Sequence, residues 1–384
     1  MDFQPTEEQK MMQDTARKFA RDRIAPLVDE DEKAHRFRPE IVREMGELGL
    51  FGAIISEEYG GTDVGWVASA LMTMEVAQVS ASWGLPFNMQ TTGPALTIQR
   101  WGTGEQKDKY IAKLVTGEFL GCFAITEPNT GSDVASMLTE AKKVDGGWVI
   151  NGQKTWISQA HYADVGLVYA YTDREKKHRG MTCFLVDMKE TEGVSTVAIE
   201  DKFGLFCSPT GEVYFQDAFV PDSAILGEVN SGFKVCMSML DGTRLSCASR
   251  AVAVGKACVD AAARYAKERQ QFGKPIASFQ MVQSDLVQMY VEHEAARMLV
   301  LKAAASRDAG NLRNGAEVST AKYFAAEAAS HAANTAMKIF GSYGFSTEYP
   351  AARLLRDAKS FQIVEGTSNI QKMIIARHLL DQYD

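Results

Sequence analysis

Gly121-Cys122-Phe123-Ala124-Ile125-Thr126-Glu127-Pro128-Asn129-Thr130-Gly131-Ser132-Asp133 is where the chain changes character. Upstream, apolar residues recur at helical spacing: Thr6 is placed to cap a stretch carrying Met11, Met12, Ala16, Phe19, Ala20 and Ile24. Pro26, Pro39 and the loop Glu57-Glu58-Tyr59-Gly60-Gly61-Thr62 punctuate that region, and further helices run through Leu114. Downstream, as far as about Gln216, short runs rich in Val, Ile, Phe, Trp and Thr take over, at 123–126, 148–151, 165–171, 183–186 and 212–215. Asp145-Gly146-Gly147 and Asn151-Gly152 read as turns between them. No helical segment of crossover length separates these runs, which predicts an antiparallel β domain and not a βαβ sheet.

From Gly232 the chain is helical and Ala-rich, in four segments near 232–268, 279–308, 315–340 and 350–380. The expected fold class is α+β: an N-terminal α-helical domain (1–120), a central antiparallel β-sandwich or barrel (121–231) and a C-terminal four-helix bundle (232–384). A chain of 384 residues, 46% of them hydrophobic, can bury more than one core, in keeping with that division.

Net charge is -8 with both signs interspersed, which argues against nucleic acid or an anionic membrane as partner. The N-terminus has no basic or apolar leader, and no apolar run approaches the length of a spanning helix. A cytoplasmic protein without a membrane span is expected. Cys122, Cys183, Cys207, Cys236, Cys247 and Cys258 lie far apart without a CxxC, so free thiols are expected. The six histidines show no HExxH or paired spacing, and no metal is expected. No GxGxxG follows a strand and no GxxxxGK[ST] occurs, so a nucleotide cofactor must bind in another mode.

Five places carry candidate chemistry. Glu365 lies between Val364 and Gly366; apolar surroundings disfavour a charged carboxylate and suit it to proton exchange, though Glu-Gly-Thr also reads as a solvated helix end. The loop 126–133 presents Thr126, Ser132 and backbone N–H groups from a strand end, or simply caps the strand. Trp156, in Gly152-Gln153-Lys154-Thr155-Trp156-Ile157-Ser158, suits either a β core or a flat wall against an aromatic ring. Arg269 and Lys274, and Arg244 in Asp241-Gly242-Thr243-Arg244, suit phosphates, a helix C-terminus or a local pair with Asp241.

The order of these motifs resembles the acyl-CoA dehydrogenase family along nearly the whole chain. The resemblance runs through 125–133, 151–158, Arg269-Gln270-Gln271-Phe272-Gly273, Gly341-Ser342-Tyr343-Gly344-Phe345, Arg356-Asp357-Ala358-Lys359 and Glu365-Gly366-Thr367-Ser368-Asn369-Ile370-Gln371. It implies an FAD enzyme that oxidises an acyl-CoA thioester to the 2-enoyl-CoA and passes electrons to an electron-transfer flavoprotein. It further implies a homotetramer built from dimers that share FAD sites.

Carried over by position, Glu365 is the base that takes the α-proton. Phe123, Ile125, Thr126, Ser132, Trp156 and Ser158 belong to the flavin region, with Ser132 also near the CoA pantetheine. Arg269, Phe272, Lys338, Gly341, Thr367 and Asn369 belong to the pyrophosphate and adenosine, several across a subunit interface. Asp241, Arg244, Val364 and Gly366 lie on the substrate side.

Val364 stands where an aromatic residue is usual, which opens room for a branched or cyclic acyl group. Phe206 replaces an arginine, and Lys338 and Ser342 replace Gln and Gly. Gly242 and Thr243 offer no rival base. The acyl-end segment Ser82-Trp83-Gly84-Leu85-Pro86-Phe87-Asn88-Met89-Gln90-Thr91-Thr92 contains no Arg or Lys, so a neutral short, branched or alicyclic acyl group is expected in place of a dicarboxylic one. It contains no Asp or Glu either, which argues against a 1,4-dehydrogenating cyclic acyl-CoA enzyme. A flavin-dependent acyl-CoA oxidase and a non-catalytic acyl-CoA-binding protein are the competing classes.

Overall fold

Local signals set the helix starts. Thr6 and Gln9 form a capping box on α1 (Glu7–Phe19), and Thr103 and Gln106 form another on α6 (Gly104–Val115). Between these lie α2 (Val28–Ala34), α3 (Pro39–Glu47, with Pro39 at its first turn), α4 (Trp66–Val79) and α5 (Leu96–Trp101). The computed structural model describes residues 4–383; the expectations that touch Met1, Asp2, Phe3 and Asp384 lie outside the described residues. A π-helical segment, Phe87–Ala95, precedes α5. Pro94 lies inside it and cannot supply a ladder N–H, and the wider turn leaves every side chain of the segment buried. Asn88 and Gln90 thereby enter the interior.

One sheet of eight strands forms the middle: β1 (Gly121–Ala124), β2 (Glu140–Val144), β3 (Gly147–Ser158), β4 (Val165–Tyr171), β5 (Met181–Asp187), β6 (Val194–Ala198), β7 (Thr210–Pro221) and β8 (Ile225–Leu226). The order is β6-β7-β3-β2-β4-β5-β8, with β1 beside β4. The sheet is mostly antiparallel, as expected, and two contacts depart from that sense: β1 pairs with β4 in parallel and β2 touches β4 in the same way. The link from β1 to β4 is the 125–139 loop and the β2–β3 hairpin, so a parallel pair forms without any crossover helix. Asn151-Gly152 is not a turn but lies within β3. The register against β7 shifts there and again between Lys154 and Ile157. Gly152 has φ +150°, and a Cβ on it would meet Thr139 Oγ1 at 2.5 Å, so only glycine lets β3 pass the 125–139 loop so closely.

The C-terminal part holds α7 (Gly232–Glu268), α8 (Gln280–Asp308), α9 (Gly315–Phe340), α10 (Ala351–Ser360) and α11 (Ser368–Leu380). Small residues such as Ala325, Ala329, Ala332 and Ala336 are buried where α9 packs against α7. A two-stranded hairpin, β9 (Gln270–Gln271) and β10 (Lys274–Pro275), joins α7 to α8. The fourth helical segment, expected to be continuous over 350–380, is broken at 361–367. Glu365 and Gly366 both have positive φ (+58° and +86°), which a right-handed helix cannot accommodate. A single apolar core runs from the N-terminal helices through one face of the sheet into α7–α10, and a smaller one forms around Trp148, Ile150, Phe184, Val213 and Phe215. Among the described residues no helix is long and apolar enough to cross a membrane, and no His/Cys/Asp/Glu cluster could hold a metal ion. All six cysteines are free and buried.

Candidate active site

The break between α10 and α11 presents Glu365 to two buried elements. Its Oε1 accepts a hydrogen bond from Asn88 Nδ2 at 3.0 Å, and its Oε2 accepts one from Thr243 Oγ1 at 2.6 Å. Asn88 comes from the π-helical segment and Thr243 from the middle of α7. The loop backbone is tied as firmly. Arg244 Nε donates to the Glu365 carbonyl at 3.1 Å, and Lys322 Nζ and Gln371 Nε2 donate to the Gly366 carbonyl at 2.7 and 2.9 Å. Burial lowers the Lys322 ammonium below the usual lysine range. The surroundings of Glu365 are therefore polar donors and not the apolar wall expected from Val364, which is itself exposed. The Glu365 N–H makes no hydrogen bond among the described residues.

Asp241 and Arg244 pair locally, Nη1 to Oδ1 at 3.2 Å, while the same guanidinium anchors the Glu365 loop through Nε. Gly366 is required as glycine: besides its positive φ, a Cβ would approach Gln371 Nε2 to 2.8 Å. Thr367 caps α11 through Ile370 N.

At the strand end, Phe123 and Ile125 lead into the 126–133 loop. A buried ion pair fixes that loop to β3: Lys154 Nζ lies 2.9 Å from Glu127 Oε1 and also donates to the Ile125 carbonyl. Burial pushes the Lys154 ammonium down to about 8 against the attraction of Glu127. Burial raises the Glu127 carboxyl, but Lys154 and the Leu138 and Thr139 N–H groups outweigh it and hold the group below the usual carboxylate range. Thr155 N donates to the Thr126 carbonyl, which brings Thr126 beside the strand carrying Trp156 and Ser158. Trp156 takes φ +60° at the second register shift and its indole is 58% exposed, so it is not a core residue. Ser132 is exposed on the loop.

The remaining predicted residues gather elsewhere. The Arg269 guanidinium lies over the Tyr343 ring at 5.3 Å, which joins the hairpin to the 341–345 turn. Phe272 is 92% exposed at the hairpin tip, and Gly341 and Asn369 are also exposed. Lys338 pairs with Asp285 at 2.8 Å. Among the described residues no hydrogen bond or ion pair joins Arg269, Phe272, Lys338 or Gly341 to Glu365. Phe206 stacks on His35 and lies under the Arg356 guanidinium at 4.8 Å.

Sequence reasoning missed Asn88, Thr243, Lys322 and Gln371 as holders of Glu365, and it missed Arg250. Arg250 is fully buried on α7, two turns beyond Thr243, and its Cγ lies 3.0 Å from where a Cβ of Gly84 would stand. The segment 82–92 has no cation of its own, as read, but a neighbouring helix supplies one. The available signal was a guanidinium standing within a run of small residues, Cys247-Ala248-Ser249-Arg250-Ala251.

The exposed, flat side chains of Trp156 and Phe272, with Thr126 and Ser158 beside the former, fit an aromatic cofactor such as a flavin. Family models agree along the chain: acyl-CoA dehydrogenase N-terminal domain at residues 6–118, middle domain at 122–218 and C-terminal domain at 230–380. A glutaryl-CoA dehydrogenase of Desulfococcus multivorans is 47% identical over 385 residues, which cover 100% of this chain and 98% of the relative. The structure of a glutaryl-coenzyme A dehydrogenase glutaryl-CoA complex superposes with TM-score 0.97 at 46% identity, over 99% of this chain and 97% of the other. A chain of the electron transferring flavoprotein structure from Acidaminococcus fermentans matches with TM-score 0.97 at 36% identity, over 99% of this chain and 100% of the other. The chain belongs to the acyl-CoA dehydrogenase family, FAD-dependent oxidoreductases that act on CH–CH groups.

Proposed function

We infer that the protein removes the α-proton and the β-hydrogen of an acyl-CoA thioester to give the 2-enoyl-CoA, with Glu365 as base. The observation that carries this reading is the Glu365 carboxylate, held by one donor on each oxygen where α7, the π-helical segment and the 361–367 loop meet. Each oxygen keeps a further lone pair with which to accept a proton. The unpaired Glu365 N–H is a donor for a thioester oxygen, and polarising that oxygen acidifies the α C–H. FAD, when bound, accepts the β-hydrogen as hydride. Phe123, Ile125, Thr126, Trp156 and Ser158 are the residues that would hold its ring, and Arg269, Phe272, Lys338, Gly341, Thr367 and Asn369 the rest. Ser132, Asp241, Arg244, Val364 and Gly366 line the thioester side, where Arg244 also keeps Glu365 in place.

Four observations bear on the acyl group. The absence of Lys or Arg from 82–92 and the small Val364 favour a neutral short, branched or alicyclic chain. The relative named glutaryl-CoA dehydrogenase and the buried Arg250 favour one with a charged far end. Similarity to a chain of an electron transferring flavoprotein structure supports such a flavoprotein as electron acceptor. Six free, buried thiols favour a reducing compartment such as the cytoplasm. Apolar side chains left exposed on α8 support a homotetramer. The change of architecture near 120 and 231 supports division into 1–120, 121–231 and 232–384.

The test is anaerobic bleaching of the bound flavin by acyl-CoA. Glu365→Gln is expected to retain FAD and slow bleaching by roughly 10²–10⁴-fold. Bleaching by the variant at the full rate would remove Glu365 from the role of base.

A further inference from the structure

Arg250 is a fully buried guanidinium without a hydrogen-bond partner: its Nε, Nη1 and Nη2 all lack an acceptor. No carboxylate pairs with it among the described residues. A buried, uncompensated guanidinium is strongly disfavoured, so its retention calls for an anion that the chain itself does not supply. Other buried donors on the two adjoining elements share the deficit. Ser80 Oγ, Ser82 Oγ and Trp83 Nε1, on the turn leading into Gly84, are buried without partners. So is Ser246 Oγ, one turn before Arg250 on the same face of α7.

The place of this cluster follows from its neighbours. The Arg250 side chain passes Gly84 with Cγ and Cδ at 3.0 and 3.1 Å from the ideal Cβ position, and its guanidinium lies 5.7 Å from the centre of the Phe361 ring. Gly84 precedes Asn88 by four residues, Phe361 precedes Glu365 by four, and Arg250 follows Thr243 by seven. The three elements that converge on the Glu365 carboxylate therefore converge again about 10 Å further along α7. An acyl chain with its α-carbon at Glu365 that ran along α7 would point its far end toward Arg250. Gly84 leaves the space that the guanidinium stem occupies, since any side chain there would strike Arg250 or Ala77, whose Cβ is 2.6 Å away.

We propose that Arg250 binds a carboxylate at the far end of the acyl group, so that the substrate is a short ω-carboxyacyl-CoA. This rests on the dehydrogenase function proposed above and narrows its substrate. The planar guanidinium presents paired donors that match a carboxylate. A neutral acyl end would leave it unsatisfied, and such a site discriminates by rejection as much as by attraction.

Glutaryl-CoA and butyryl-CoA, compared by anaerobic flavin bleaching of the FAD-loaded enzyme, test the assignment. The wild type is expected to favour glutaryl-CoA by at least about 100-fold in kcat/KM. Arg250→Met, which keeps volume and removes charge, is expected to lose that preference through KM for glutaryl-CoA, with butyryl-CoA turned over as well as before or better. Equal loss with both esters would reduce Arg250 to packing and overturn the proposal. If Arg250→Met does not retain FAD, the wild-type ranking decides, together with the rise in thermal midpoint at saturating glutaryl-CoA over that at saturating butyryl-CoA. Bleaching by butyryl-CoA but not by glutaryl-CoA overturns the Arg250 assignment alone. Bleaching by neither overturns the dehydrogenase reading and this one with it.

Discussion

Glu365 takes a left-handed backbone conformation that costs a non-glycine residue on the order of 1–2 kcal/mol. The cost is tolerated because Arg244, Lys322 and Gln371 bind the two carbonyls on either side of the kink. The kink turns the carboxylate toward Thr243 and Asn88. Thr243 is thus a positioning residue for the base. Removing its hydrogen bond to a charged group is worth about 1.5–3 kcal/mol, so Thr243→Val should slow flavin bleaching about 10–100-fold while Thr243→Ser restores most of the rate. A structural role for the methyl group would give the reverse order. Glu365 was legible in the sequence through the order of motifs that resembles the acyl-CoA dehydrogenase family, while its immediate neighbours alone left a solvated helix end open. Thr243 and Asn88 were not, because they stand 122 and 277 residues away and only the folded chain brings them within hydrogen-bond distance.

Among elements, the contact of α2 with α10 and the 202–208 loop carries the clearest pH dependence. Glu32, buried on α2, accepts a hydrogen bond from Cys207 Sγ at 3.4 Å and lies 3.7 Å from Arg356 Nη2. Burial, and then the charge of Asp357, raise its carboxyl to about 7. Asp357, which accepts the Leu205 N–H at 2.8 Å, is raised by burial as well. A carboxyl raised on folding stabilises the protein most below its unfolded value near 4.5, and that contribution is lost as pH rises through about 7. Wild-type thermal midpoints should therefore fall between pH 5 and pH 8 relative to Glu32→Gln, by a free energy on the order of 2–3 kcal/mol. Parallel wild-type and variant curves across that range would exclude Glu32 as the source. The helix start at Thr6 was legible because a cap is a local hydrogen bond. The parallel β1–β4 pair was not, since strand direction depends on how the intervening loop and hairpin pack.

For the whole molecule, Val287, Tyr290 and Val291 form an exposed apolar stripe at helical spacing on α8, and Met281 extends it toward the hairpin that carries Phe272. In the proposed tetramer this face is covered by another copy. Light scattering should give the wild type a tetramer mass, and a Val287→Asp/Val291→Asp double variant should dissociate and retain less FAD. A monomeric wild type, or an intact tetramer in the variant, would place the interface elsewhere.

Three architectures in the order α, β, α followed from the sequence alone, because helical periodicity, β-rich runs and turn residues are local and repeat along the chain. The resemblance of its motif to that of the acyl-CoA dehydrogenase family made Glu365 the candidate base. Tertiary structure alone decided what surrounds that base and which charge lies beyond it along α7. Segment 82–92 carries no cation, but Gly84 has no side chain, and α7 fills the space with Arg250 from 166 residues downstream. A charge is read from sequence one residue at a time, whereas a pocket sums the charges of every element that borders it.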